Sequence, residues 1–522
     1  MKLNLKSLEN KAVWLEKGYK LPEFDIEKVT RATHENPEWI HFGAGNIFRA
    51  FLGGVAQRLL NAGEMNTGIV VFEGFDPEIV EKAYRPFDNL CVNVTLVSTG
   101  SVKKEVLASV VESLTINDDA RAIEIFENPS LKMASFTITE KGYTPAFARR
   151  DADGKPEDAK GLMGYLTKLV YKRYLKNAQP IALVSMDNCS HNGEKLETVV
   201  KMVADTWHKN GHVDAGFIDY LNTKVTFPWT MIDKITPRPD ANVMKVLADD
   251  GFEDGGLIGT SKNTFTSAFV NAEEKEYLVI EDRFPNGRLP LDKAGVYYAT
   301  RETVERVERM KVTTCLNPLH TCLAVFGCLL NFETIWQEMN DEDLKALVNR
   351  IGYVEGMPVV TDPGIMSPKT FLGEVLTVRL PNCFLPDTPQ RIATDTSQKL
   401  SIRFGETIKA YLEKGMDVSN LKGIALVEAG WLRYLMGVDD NGSEMAISPD
   451  PRLDEMKSRL AGVSFGHNEN AEKALTPILE DESIFGVSLV KAGLADSVIE
   501  HFKRMNAAPG AVRAEIHSVA IA

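Results

Sequence analysis

The chain has 522 residues, 44% hydrophobic and 25% charged, the proportions of an ordinary globular protein with material for more than one core. Fifty-nine Lys and Arg against 73 Asp and Glu leave a net charge of −14, the opposite sign to a general nucleic-acid-binding surface, so that class of partner is set aside. The longest strongly apolar stretch, Thr321 to Phe332, falls short of the roughly 20 residues that cross a bilayer. No membrane partner is expected. The N-terminal MKLNLKSLENKAVWLEKGYK has no signal-peptide core. Cys91, Cys189, Cys315, Cys322, Cys328 and Cys383 form no paired CxxC motif and are too few for a disulfide scaffold. A reducing, cytoplasmic setting without a structural metal is the expectation.

The first strand in chain order is Trp39–Phe42, followed by Gly43-Ala44-Gly45 and a helix on which Phe51, Val55 and Leu59 recur every four residues. A GxG turn between strand and helix lets a pyrophosphate approach the backbone and meet free amides. The candidate cofactor loop is therefore Gly43, Ala44, Gly45, Asn46, Ile47, Phe48 and Arg49. Phe48 stands where the full fingerprint has its third glycine. Arg49 either reaches a phosphate or is solvated on the first helical turn. The next strand, Gly68–Phe72, ends near Glu73 and Asp76, 30 and 33 residues beyond Gly43. A carboxylate there grips a ribose 2′-hydroxyl and repels a 2′-phosphate. With no basic residue between Val70 and Glu81, NAD is favoured over NADP. Asp76 has an equal alternative as the cap of the following helix.

Further strands are expected at Met133–Thr139 and Ile181–Met186, with Pro145–Lys160 between them as a surface loop. Strand–helix alternation of this kind indicates an α/β fold with a mainly parallel sheet. From Val304 the pattern changes to long helices: Leu319–Met339, Asp341–Ile351 and Ile402–Glu413, with Gly430–His501 also helical by pattern. Two domains are expected, 1–305 and 306–522, the second mainly α-helical.

Six segments carry polar chemistry in a fixed order: GAGNIFRAF (43–51), TITEKGY (137–143), SMDNCSHNG (185–193), FPWTMIDKITPRP (227–239), YLVIEDRFPNGRLPLDKAGV (277–296) and MKVTTCLNPLHT (310–321). Together they resemble the long-chain, polyol-specific dehydrogenase family, which includes mannitol dehydrogenase and fructuronate reductase. The resemblance implies a Rossmann-like NAD-binding first domain and a helical substrate and catalytic domain. It also implies zinc-independent hydride transfer on a small sugar acid or polyol. By motif match Lys311 is the general base, Asn188 and Asn317 form the oxyanion site, and His320 orients the substrate. Glu140 relays protons, and Asp233, Arg391 and Lys399 belong to the substrate site. The residue types suit the chemistry. A secondary alcohol needs a base for its proton while hydride leaves, and amide donors stabilise the oxygen that becomes alkoxide-like. Within the family the expectation is interconversion of D-fructuronate and D-mannonate. The alternatives are mannitol 2-dehydrogenase or tagaturonate reductase activity, an NAD-retaining isomerase, or a non-catalytic binding protein.

One departure stands out. Asn317 and His320 lie six and nine residues after Lys311, one more than the family spacing, which on a continuous helix turns Lys311 by about 100°. Val312, Thr313 and Thr314 are β-branched, and Asn317-Pro318 reads as an N-cap and first turn. The spacing therefore predicts a helix beginning at Asn317, with Lys311 on a preceding non-helical or bulged segment. Taken alone, Asn317 is a cap, His320 a core histidine, Arg391 an ion-pair partner and Lys399 a solvated cation. Asp187 reads as a brace for the loop that presents Asn188.

Overall fold

In the computed structural model, which describes residues 1–521, six short apolar runs join into one parallel sheet. They are β1 (Trp39–Phe42), β2 (Ile69–Glu73), β3 (Val110–Thr115), β4 (Met133–Phe136), β5 (Ile181–Ser185) and β6 (Val225–Thr226). The spatial order is β3-β2-β1-β4-β5-β6, the doubly wound dinucleotide-binding order. Side chains alternate between two cores. Ile40, Phe42, Val70, Phe72, Phe136 and Leu183 face one side, and Trp39, Ile69, Val71, Met133 and Val184 face the other. Burial on both faces explains why these strands read as continuous apolar runs. Thr230–Asp233 (β7) pairs antiparallel with Tyr277–Glu281 (β8).

The helix after the glycine turn starts as a π-helical turn, Phe48–Leu52, and continues as α1 (Gly53–Asn61), with Phe51, Val55 and Leu59 all buried. The expected surface loop at 145–160 is instead helical over Pro145–Asp153. Pro145 occupies the first turn, where its missing amide costs nothing, and Ala148 and Ala152 pack into the core. Arg149, Arg150 and Asp153, which suggested a loop, are exposed on it, and Asp151 accepts from the Lys160 and Gly161 amides.

The chain divides into two units, Met1–Glu305 and Arg306–Ala522. The second is built of helices. Helix α2 (Arg301–Met310) leads into a π-helical turn, Lys311–Cys315, and then α3 (Asn317–Leu329). The apolar stretch at Thr321–Phe332 overlaps a longer run: Arg301–Leu329 has the length and apolarity of a membrane span, but 83% of its apolar window is buried inside the protein. Helix α3 ends at Leu329, ten residues before the expected Met339, because Asn331 takes a left-handed conformation. Further π turns lie at Arg350–Gly356, Val375–Arg379 and Ser401–Gly405.

Candidate functional site

In the first unit the expected residues gather at the carboxyl ends of β1, β2, β4 and β5, where the strand order reverses and such sheets bind ligands. Gly43 has φ +108°, and a Cβ there would stand 2.2 Å from the Thr137 carbonyl oxygen. The fold itself therefore demands glycine. Gly45 differs: its φ is not in the left-handed region and a Cβ would meet nothing within 4 Å. Nothing in the chain requires glycine at 45, and the open space there fits close approach by a bound pyrophosphate.

The loop is held from both sides. Ala44 N–H donates to Glu73 Oε2 at 2.8 Å, and Tyr84 Oη donates to the Ala44 carbonyl at 2.9 Å. Glu73 Oε1 also accepts from the amides of Phe75 and Asp76. Glu73 thus lies at the end of β2 and braces the turn. Asp76 is buried and accepts from Thr260 Oγ1 at 2.6 Å. It neither caps the following helix, whose N-cap is Pro77, nor faces outward for a ribose. Asn46 and Ile47 are partly buried. Phe48 is a core residue, its ring stacked 4.2 Å from that of His41. Arg49 is only 2% exposed, donates to Thr266 Oγ1 and lies over the Tyr84 ring. It is neither solvated nor at the surface for a phosphate, because the π turn rotates it inward. His41, to which the sequence assigns no role, is bonded to Ser135 and Thr137, and burial lowers its pKa to about 3. Lys262, far off in sequence, donates to the Phe75 carbonyl and sits 4.0 Å from its ring centroid. A cation therefore does stand beside the end of β2.

Asp187, at the end of β5, accepts from the Ile138 and Thr139 amides and from Tyr143 Oη at 2.6 Å. Burial raises its pKa, and those hydrogen bonds oppose the rise. It holds Thr139 at φ +66° and so shapes the loop that carries Glu140. Asn188, beside it, is exposed. Asn192 ties this corner to β7 by donating to the Asp187 and Thr230 carbonyls. Asp233, buried, ends that strand. Glu140 is exposed on a short 3₁₀ turn and pairs with Lys195. A sheltered relay carboxyl is not what its surroundings show.

In the second unit Lys311 is buried, 5% exposed, at the head of its π turn. The turn closes through Leu316 N–H donating to the Lys311 carbonyl at 3.0 Å. A π turn absorbs one residue within a helix, so the extra residue between Lys311 and Asn317 is taken up as a bulge. Asn317 is not the cap. It is the first residue of α3, whose N-cap is Leu316, and no side chain caps that end. The π turn running straight into α3 displaces the cap by one position. The Asn317 amide makes no side-chain hydrogen bond among the described residues.

His320, in the first turn of α3, places Nε2 3.7 Å from Asp387 Oδ2. Burial lowers its pKa to about 4. Asp387 opposes that shift, and Arg403, Arg379 and Arg391 add to it. The imidazole is therefore neutral at pH 7. Arg391 pairs with the same Asp387, its side chain mostly exposed. Lys399 Nζ donates to the carbonyls of Ile392 and Thr394, and burial lowers its pKa. Lys399 is a brace rather than a solvated cation. Arg379 and Arg403, each on a π turn, are the residues that sequence reasoning missed. A single arginine in a helical stretch gives no signal. Among the described residues no cluster of His, Cys, Asp and Glu could hold a metal ion.

The family model of the mannitol dehydrogenase Rossmann domain matches residues 37–293, and that of the mannitol dehydrogenase C-terminal domain matches residues 303–506. The D-mannonate oxidoreductase of Thermotoga maritima is 49% identical over an alignment 534 positions long, covering 99% of each chain. Substrate-free D-sorbitol dehydrogenase superposes with a TM-score of 0.80 at 23% identity, over 99% of this chain and 100% of that one. The Pseudomonas fluorescens mannitol 2-dehydrogenase ternary complex with NAD and D-mannitol gives 0.69 at 23% identity, over 100% and 99%. At that identity the two structures establish the fold.

Proposed function

The chain belongs to the mannitol dehydrogenase family, and from that premise we propose that it is an NAD(H)-dependent oxidoreductase interconverting D-fructuronate and D-mannonate. The observation that carries this reading is the 49% identity over 99% of both chains to the Thermotoga maritima D-mannonate oxidoreductase. Arginines around His320 support an acidic substrate. NAD, when bound, supplies the nicotinamide C4 that accepts or returns hydride. In the first unit the Gly43–Gly45 turn would hold the pyrophosphate, the open space at Gly45 leaving room for it, and Glu73, which braces that turn from the end of β2, would stand on the ribose side. Asn188 offers its side-chain amide to the substrate, and Asp187 fixes the loop beside it.

In the second unit Lys311 takes the proton of the carbinol hydroxyl during oxidation and returns it during reduction. Lys311 is suited to this by its place, buried at the head of the π turn that leads into α3. Asn317, with its amide uncommitted, donates to the oxygen that Lys311 deprotonates, and the N-terminus of α3 favours the charge that develops there. His320, neutral at pH 7, donates one hydrogen bond and accepts another, which orients a substrate hydroxyl. Glu140 exchanges protons with solvent, a role its exposure permits. Asp233, Arg391 and Lys399 complete the substrate-binding set, the last two by positioning their segments. Six free cysteines support a reducing, cytoplasmic setting.

The test is to supply D-mannonate and NAD⁺, follow absorbance at 340 nm and identify the product by chromatography. Formation of D-fructuronate with stoichiometric NADH is expected. A second reading, a neutral ketose or polyol as substrate, is favoured by one observation: Arg391 and Lys399 are both already engaged within their own segment. Turnover of D-mannitol or D-fructose without turnover of the acids would establish it.

A further inference from the structure

A sugar acid needs a cation for its carboxylate; Arg391 is paired with Asp387 and the Lys399 ammonium is held by two backbone carbonyls. Arg403 keeps most of its guanidinium N–H groups without a partner among the described residues. It lies on the π turn Ser401–Gly405 and is partly buried. Its Nη1 donates to Thr321 Oγ1 at 2.5 Å. Among the described residues it forms no ion pair, whereas Arg309, Arg350, Arg391, Arg452 and Arg513 in the same unit all have carboxylate partners. Buried arginines are rare unless paired. Thr321 follows His320 in α3, and its hydroxyl also donates to the Asn317 carbonyl at 3.0 Å. One hydroxyl therefore links the guanidinium to the helix turn that carries both Asn317 and His320. Burial lowers the Arg403 pKa only to about 10, so it keeps its charge at neutral pH.

We propose that Arg403 binds the carboxylate of the sugar-acid substrate and sets the preference for acids over neutral ketoses, an inference that rests on the oxidoreductase reading above. The planar fork of a guanidinium takes a carboxylate through two parallel hydrogen bonds. With Nη1 turned to Thr321, the remaining N–H groups are left for the incoming anion. In D-fructuronate three carbons separate the ketone from the carboxylate, so a residue next to the His320 turn grips the far end of the chain while Lys311 and Asn317 attend to the reacting end. The π turn has a reason here too. Such turns recur at functional sites, and this one directs a charged side chain inward from a helix that would otherwise present it to solvent.

The experiment compares kcat/KM for D-fructuronate and D-fructose, with NADH, in the intact protein and in Arg403→Gln, Arg403→Lys and Thr321→Val. Wild type is expected to favour fructuronate. Loss of the ion pair in Arg403→Gln should lower the fructuronate-to-fructose ratio by about 100-fold or more, mainly through KM. Arg403→Lys, which keeps the charge but not the fork, should recover part of the ratio, and Thr321→Val should raise KM for fructuronate alone. Arg403→Lys and Thr321→Val keep the proposal testable if Arg403→Gln fails to fold. A wild-type preference for fructuronate with equal losses on both substrates in the variants would overturn the role of Arg403 and leave the oxidoreductase reading standing. Wild-type activity with fructose alone would overturn both.

Discussion

Two glycines two residues apart should respond to alanine in opposite ways. At Gly43 a Cβ would lie 2.2 Å from the Thr137 carbonyl oxygen, with φ at +108°. That carbonyl belongs to backbone fixed by Thr137 N–H donating to Phe42 O at 2.9 Å, so the contact is not relieved by rotating a side chain. Strain at such a φ costs about 1–3 kcal/mol, and yielding the neighbouring hydrogen bond costs about 1 kcal/mol more. Gly43→Ala should therefore lose about 3 kcal/mol of stability. At Gly45 a Cβ would meet nothing within 4 Å and φ is unstrained. Gly45→Ala should be neutral or stabilising by about 0.5 kcal/mol, because alanine restricts the unfolded chain. Its cost falls on the cofactor, since the methyl fills the space the pyrophosphate needs. NADH affinity should drop at least about tenfold, or 1.4 kcal/mol. Urea unfolding and NADH fluorescence titration read the two effects separately. Unchanged NADH binding by Gly45→Ala would refute the assignment of this loop to the cofactor, and full stability of Gly43→Ala would refute the geometry of the turn.

The remaining predictions concern the helical unit. Lys311→Met should lower kcat by about 10²–10⁴-fold at every pH, the size of a general-base contribution, and near-native turnover would remove Lys311 from the mechanism. His320 has a folded pKa of about 4, below its unfolded value of 6.5. Its contribution to stability is thus complete above pH 6.5 and is lost as pH falls toward 4. His320→Gln should flatten that part of the stability curve by on the order of 2 kcal/mol, as read by chemical denaturation at pH 7 and 4.5. Glu428 is buried with neither carboxyl oxygen hydrogen-bonded, and burial holds its pKa well above 4.5. The unfolded chain ionises it first, so stability should fall as pH rises above 4.5, and Glu428→Gln should reduce that decline in thermal melts between pH 5 and 9.

Four of the six strands of the parallel sheet are legible in the sequence because burial on both faces makes them continuous apolar runs. β3 is hidden by Glu112, which leaves the apolar pattern because it pairs with Arg121, and β6 by being only two residues long. In the site, the β-branched run after Lys311 and the altered spacing to Asn317 together pointed to a bulge, and a π turn stands there. The inward turn of Arg49 and the isolation of Arg403 were not legible. Both follow from π turns, which shift a side chain around the helix by an amount that no 3.6-residue periodicity records. Lys262 escaped for a different reason: its approach to Phe75 spans 187 residues, beyond any local pattern.

The account stands or falls on one assay: oxidation of NADH by the purified protein with D-fructuronate, D-tagaturonate and D-fructose in parallel, and NADPH as the cofactor control. Rapid oxidation of NADH with D-fructuronate, well above the other two substrates and above NADPH, is the predicted result. Equal or greater turnover of D-fructose, or no oxidation with any of the three, would contradict it.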